Sequence, residues 1–344
     1  MRISYAPWGQ TLEEFLDAAR RAERAGAEVL WVQELHRSAT IQAAALASAT
    51  ERAGIGIGIA LAFTRSPMIM ALEALDIDEL SDGRLLLGLG AGVQRLNEDW
   101  HHAEFGKPVA HLRETIRNIR EFWRAAPTGE PIDLPGEWEP MRVRGYQRPI
   151  EPTRPDIPVY VAAVGPAMTR LAGAVGDGWI SHELCSPGYL TEQVMPQLQA
   201  GRARTAGQEP GPFDVVVSAC CSIADDRATA VGRVAGLVGF YASVRTYADF
   251  FTFHGLAGQQ QAVIDAFRAG RTADQLAAAV APEMVDALTI TGNRDQAMAR
   301  IADYEGLADT IKISPPTHGL PAAETRSAQE QLIGLIADLT GSAS

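Results

Sequence analysis

Short apolar runs with β-branched residues alternate along this chain with longer stretches whose apolar positions recur at helical spacing, the pattern of βα units around a parallel sheet. Ile3 to Tyr5 reads as a first strand. A helix follows with Leu12, Phe15, Leu16 and Ala19 on one face; Thr11 and Glu14 predict a capping box, and Gly26 a stop. Val29 to Val32 reads as strand two, a helix as running from about Ala39 to Arg52, and the alternation of glycine with isoleucine from Gly54 to Ile59 as a bare third strand. Ser66 and Pro67 open a helix that ends near Gly83, and RLLLGLGAG supplies strand four with a glycine-rich exit. The rhythm then breaks. From about 93 to 157 comes an inserted helix carrying Leu112, Ile116, Ile119 and Trp123, then a Pro/Gly-rich excursion. Strands resume at Val159 to Ala163, Trp179 to Ser181, Val215 to Ile223 and Thr310 to Ser314, with a mostly helical second insertion at about 225–286. Eight units of this kind predict an α/β fold, a (β/α)8 TIM barrel, as a single domain over 1–344.

Composition narrows the partners. A net charge of −12 argues against a phosphate-tracking nucleic-acid surface, and no run of basic residues suggests a membrane patch. A small-molecule substrate is therefore expected. The cysteines Cys185, Cys220 and Cys221 make neither a disulfide framework nor a metal-ligand spacing, so no metal is expected and a reducing cytoplasm fits. The N-terminus lacks the apolar core of a signal peptide, and no apolar run reaches the length of a membrane span. Lysine occurs only at Lys107 and Lys312.

In a barrel of this type chemistry gathers where the strands end. The second exit offers Glu34 and His36, the third the Gly58-Ile59-Ala60 backbone, the fourth Gly90, Gly92 and Asn97, and the sixth Ser181, His182 and Glu183. Neither HExxH, GxxxxGK[ST] nor GxSxG occurs, which excludes zinc proteolysis, P-loop phosphoryl transfer and α/β-hydrolase chemistry. Glycines at strand ends suggest backbone approaching a flat ligand. The fifth exit, Val164 to Met168, has two readings. Gly165 and Pro166 can make an ordinary tight turn, or the amides of Ala167 and Met168 at the positive end of a helix can seat a phosphate.

Two segments, LSDGRLLLGLGAG (80–92) and PVYVAAVGPAMTRLAGAVGDGWI (158–180), resemble the patterns LSxGRxxLGxGxG and PxxVAAxGPxMxxLAGxxADGxI of the luciferase-like monooxygenase superfamily. LWVQELH (30–36) is similar to its strand-two exit WxxEHH or WxxDH, and IALAFTRSP (59–67) resembles VTNPxTRHP. The resemblance implies a (β/α)8 barrel that holds the deazaflavin coenzyme F420, or alternatively FMN, and moves a hydride to or from an organic substrate. For the deazaflavin branch it implies cofactor contacts at Val164, Gly165, Ala167 and Met168, with Gly90, Gly92 and Asn97 beside them. It also implies a non-prolyl cis peptide at the end of strand three, for which Gly58 and Ile59 are the candidates. Glu34 falls where the family keeps an acidic group beside the ring. A homodimer is implied as well.

The departures matter as much. His36 falls one place after the family's catalytic histidine, whose position holds Leu35. Either His36 substitutes, or the proton donor is His182 or Tyr5. Val93 replaces a glutamate of sugar-phosphate oxidising members, and Ser181 to Tyr189 contains no lysine, so a substrate without phosphate is expected. Trp8, Trp100 and Trp179 can line an apolar pocket or belong to the core. The leading expectation is an F420-dependent oxidoreductase; the alternatives are an FMN-dependent monooxygenase using reduced flavin and oxygen, and a barrel that binds a flavin-like ligand without turnover.

Overall fold

The computed structural model describes residues 1–203 and 211–341. Its first part runs β1 (Arg2–Tyr5), α1 (Leu12–Arg24), β2 (Val29–Val32), α2 (Ala39–Ala49), β3 (Gly54–Leu61), α3 (Pro67–Leu80) and β4 (Leu85–Gly90). Next come α4 (Pro108–Ala125), the strands β5 (Ile132–Leu134) and β6 (Met141–Val143), β7 (Val159–Ala162), α5 (Pro166–Val175) and β8 (Gly178–Ile180). Then follow α6 (Pro187–Tyr189), α7 (Met195–Arg202), β9 (Asp214–Ile223), α8 (Arg227–Ser243), α9 (Ala248–Phe253) and α10 (Ala257–Arg268). The chain closes with α11 (Pro282–Leu288), β10 (Ile290–Gly292), α12 (Arg294–Ala302), β11 (Thr310–Ser314) and α13 (Ala322–Thr340). The strands β1, β2, β3, β4, β7, β8, β9 and β11 belong to a (β/α)8 barrel, as the periodicity predicts. Beyond that expectation, β10 pairs alongside β9, and β5 with β6 forms an antiparallel hairpin inside the first insertion.

The chain forms two compact units, one comprising Met1–Glu28, Ser181–Met195 and Val216–Ser344, the other Val29–Ile180 and Pro196–Val215. In the second unit the strands are parallel in the order β2-β3-β4-β7-β8. The bareness of β3 has a local cause. A Cβ on Gly56 would lie 2.3–2.7 Å from atoms of the Trp31 indole, and one on Gly58 would lie 3.0 Å from it. The flat ring that these glycines admit is thus the protein's own. Gly88 on β4 is equally confined, because its Cβ would sit 2.0 Å from the Ile57 carbonyl oxygen. The β3–β4 register shifts between Ile57 and Ala60, and the Gly58–Ile59 peptide is cis.

The turn before β4 is held by Arg84, whose guanidinium donates to the carbonyls of Ala53 at 2.7 Å and Thr50 at 3.0 Å and so fastens the end of α2 to the start of β3. Ser66 accepts from the Ile69 N–H and Pro67 starts α3, as expected. In α4 the predicted apolar residues Leu112, Ile116, Ile119 and Trp123 are all buried, and the Trp123 indole donates to the Ala71 carbonyl at 3.0 Å.

In the first unit the strand order is β10-β9-β11-β1. Ser4, Lys312 and Ser218 stand side by side on β1, β11 and β9. Side chains alternate across a strand. Tyr5, on the other face of β1, donates its hydroxyl to Gln329 of α13 at 3.0 Å, so that face meets the helices and the Ser4–Lys312–Ser218 face is the barrel interior. The α1 cap differs in detail from the predicted box: Thr11 accepts from the Glu14 N–H, while the Glu14 carboxylate reaches back to Gln10 instead of Thr11.

Candidate active site

Glu34 follows directly on β2, and its backbone N–H donates to the Ile59 carbonyl at 3.0 Å. Its side chain is fully engaged. Oε2 accepts from the Leu61 N–H at 2.9 Å and from Arg65 Nη1 at 2.8 Å, and Oε1 accepts from Arg65 Nη2. Burial opposes the carboxylate charge, but the Arg65 guanidinium and the Leu61 amide outweigh it and hold the Glu34 carboxyl below the usual range. Neighbouring Glu73, 3.4 Å from Arg65, is displaced the other way because burial dominates there. Glu34 is therefore an anion that locks two strand exits together. Arg65 escaped the sequence reading, although it lies in the quoted segment IALAFTRSP; nothing local announces a partner 31 residues away.

A cleft of about 290 Å³ opens beside this pair, lined by Glu34, His36, Leu61, Leu96, Trp100 and His101, among others. His36 is exposed on its rim, next to Leu35 at 50% exposure. Trp100, 64% exposed, walls the cleft, so the lining role considered for it holds. Trp179 differs: it is buried and its indole donates to the Ala163 carbonyl at 3.0 Å, which makes it core.

At the fourth exit Gly90 makes room for Ile59, whose Cδ1 would meet an added Cβ at 2.9 Å. Gly92 adopts φ +65°, and its added Cβ would press on Leu61 at 2.7 Å. Asn97 is buried, and its Nδ2 donates to the carbonyls of Ala91 at 2.8 Å and Val93 at 3.0 Å. Its Oδ1 has no hydrogen-bond partner. A buried acceptor left over by a side chain that otherwise braces its own loop calls for an explanation beyond bracing.

The fifth exit is the least encumbered. Gly165 caps α5 with no side-chain hydrogen bond, and a Cβ placed on it would meet nothing within 4 Å. Its φ of −81° needs no glycine. Pro166 has no N–H, and the Thr169 N–H returns to the Gly165 carbonyl at 3.0 Å. The amides of Ala167 and Met168 remain as the helix's unsatisfied donors. Gly165 and Ala167 are exposed, Val164 and Met168 half-buried. Gly58 and Ile59 are likewise half-buried, although Ile55, Ile57 and Ala60 around them are buried.

The first unit arranges its groups differently. His182 Nδ1 accepts from the Leu184 N–H at 3.2 Å, which leaves the ring proton on Nε2, a buried atom with no partner. Tyr241, Tyr247 and Phe250 surround the ring, with Phe250 edge-on at 4.7 Å. Burial, helped by His254, drives the His182 pKa down to about 3. The ring is neutral at physiological pH and carries an unused N–H donor, in contrast to the expected near-neutral titration. Beside it Glu183 accepts from Ser314 Oγ at 2.7 Å. Tyr5 is remote from such a role, since it is buried with its hydroxyl committed to Gln329. Glu183 and Lys312 were the residues most open to recognition: one adjoins His182, and the other is one of two lysines and sits in the alternating run TIKIS.

Residues 2–310 match the family described as luciferase-like monooxygenase. The chain belongs to that family. Among its luciferase-like relatives is a putative coenzyme F420-dependent oxidoreductase of Mycobacterium tuberculosis, 28% identical over 322 residues, covering 89% of this chain and 92% of the relative. The 5,10-methylenetetrahydromethanopterin reductase of Methanolobus tindarius is 29% identical over 320 residues, covering 92% and 93%. In fold, the chain is similar to the coenzyme F420-dependent tetrahydromethanopterin reductase of Methanopyrus kandleri, with a TM-score of 0.79 at 21% identity over 98% of this chain and 96% of the other.

Proposed function

We propose that this luciferase-like protein is a coenzyme F420-dependent oxidoreductase that transfers a hydride between the deazaflavin and a small organic substrate. The observation that carries this reading is the entrance to α5. Two free amides at the positive end of a helix, with open space around Gly165, suit a phosphate-bearing cofactor. The naming of the mycobacterial relative supports F420 as that cofactor. The remaining residues are compatible: Gly58 and Ile59 offer half-buried backbone on an otherwise buried strand, and Asn97 keeps a free acceptor.

Bound F420 supplies a two-electron hydride carrier whose reactive ring position is carbon. The chain supplies orientation and proton handling. Glu34, held anionic by Arg65, fixes the β2 and β3 exits that present the Gly58–Ile59 backbone. His36, exposed at the rim of the cleft, is the group placed to exchange a proton with solvent. His182 offers an unpaired Nε2–H as a donor without changing its charge.

Titrating the apoprotein separately with F420 and FMN, and following cofactor fluorescence, tests the reading. Saturable binding of F420 is expected, and tight FMN binding with no response to F420 overturns it. Gly165→Asp sharpens the test, because aspartate is a good helix cap and also competes for the Ala167 and Met168 amides. Its melting temperature should stay level or rise while F420 binds about thirtyfold more weakly, the scale of one charge at a helix terminus. Unchanged affinity removes the phosphate seat from α5.

A further inference from the structure

Lys312 is 4% exposed, and its side chain forms no hydrogen bond or ion pair among the described residues. It lies on the interior face of the first unit's strand arc, level with Ser4 and Ser218. Ser4 is committed, donating its hydroxyl to the Ile311 carbonyl at 3.0 Å. Ser218 is not, for its Oγ is buried without a partner. Two residues further along β11, about 6.6 Å up the strand, Ser314 holds the Glu183 carboxylate. Glu183 is the charge that acts on Lys312, favouring the ammonium, while burial acts more strongly against it. Glu183 also acts on Tyr241 and Tyr247, the rings that surround the His182 donor. One carboxylate thus acts on a buried amine and on the rings that wall an imidazole N–H, while the unpaired Ser218 hydroxyl stands level with the amine on the neighbouring strand.

We propose that Lys312, Ser218 and Glu183 form a substrate-binding site for a neutral oxygenated group, a carbonyl or hydroxyl, carried on an apolar body. The unsatisfied groups of the site are donors, so the ligand atom that completes them is an acceptor oxygen. Charge decides which kind. With Lys312 protonated the Lys312–Glu183 pair sums to zero, and with Lys312 neutral it is negative; in neither state does the site favour a carboxylate or phosphate. Tyr241, Tyr247 and Phe250 fit an apolar flank. This extends the proposed oxidoreductase by naming its substrate class, and it stands or falls apart from cofactor identity, which the F420 titration reads separately.

The scarcity of lysine makes the test direct. Full-length protein labelled with ¹³C-lysine gives two side-chain spin systems, Lys107 and Lys312, assigned by Lys107→Arg at an exposed position. Cyclohexanone, cyclohexanol and cyclohexanecarboxylate share one body and differ in the oxygenated group. Saturable shifts of the Lys312 Cε signal are expected with the ketone and the alcohol, and none with the carboxylate at the same concentration. Ser218→Val should weaken the ketone about tenfold, the loss of one hydrogen bond in a buried site. Glu183→Gln should relax the exclusion of the carboxylate, because the site loses its one negative charge whichever protonation state Lys312 adopts. Absence of a saturable Lys312 shift, or carboxylate binding as tight as the ketone in the unaltered protein, overturns the proposal. So does a Glu183→Gln protein that excludes the carboxylate as strictly as the unaltered protein. If Glu183→Gln does not fold, the three-ligand comparison on the unaltered protein and on Ser218→Val still decides the matter.

Discussion

The charged side chains at the two candidate sites, one in each unit, are held differently. In the unit from Val29 to Ile180, Glu34 is neutralised on the spot by Arg65 and the Leu61 amide, while the candidate site otherwise offers backbone, glycine and the unpaired Oδ1 of Asn97. In the other unit Lys312 is buried with no ion pair among the described residues, and Ser218 Oγ and His182 Nε2 are buried without partners. A self-satisfied surface can grip a constant ligand through amides and shape, whereas enclosed donors wait for a particular acceptor. That difference is what the proposed cofactor seat and the proposed acceptor-oxygen site would each require.

The comparison can be broken by mutation. Gly56→Ala should have the largest effect, because the new methyl must displace an indole fixed by its surroundings; a loss of about 3 kcal/mol is expected from overpacking of this severity, read as a fall in the urea midpoint with the slope unchanged. Arg65→Met should destabilise by about 2 kcal/mol at neutral pH, less than the removal of one partner from a fully enclosed pair. The loss should depend on pH. The folded Glu34 pKa lies below its unfolded value, so the pair's contribution is present above the unfolded pKa and fades as pH falls through the folded one. Below that range the variant and the parent should unfold alike in acid titrations followed by circular dichroism.

Lys312→Met should be the smallest effect and of opposite sign, a gain of about 1 kcal/mol at neutral pH, since an apolar side chain replaces an amine whose charge is disfavoured by burial. Here too the sign follows from the protons. The folded pKa is lowered, the unfolded state binds more protons, and parent stability must rise with pH between the folded and unfolded values. Denaturant midpoints of the two proteins should converge as pH rises. A destabilised Lys312→Met protein at neutral pH would contradict the account of the first unit.

What could be read from the sequence was whatever is local. The helix caps at Ser66 and Gly165 and the apolar face of α4 each lie within a few residues of their cause, whereas the cis peptide at Gly58–Ile59 was expected from the family resemblance alone. Pairings across the fold were not legible. The bare strand Gly54 to Ile59 pointed to a flat ring, but the ring belongs to Trp31, on the neighbouring strand. Glu34 reads as a free carboxylate until Arg65 is seen beside it. The stretch from 225 to 286 carried no motif, yet it supplies Tyr241, Tyr247 and Phe250 around His182, because aromatic walls need only size and placement.

The packing of Trp31 over Gly56 also constrains history. A lineage changing β3 cannot enlarge Gly56 while the indole is present, and a lineage that first shortens Trp31 opens a void with no residue yet there to fill it. Either first step carries a penalty that the second relieves. The two positions can therefore be expected to change together or not at all, and a protein that has left this arrangement has no easy way back.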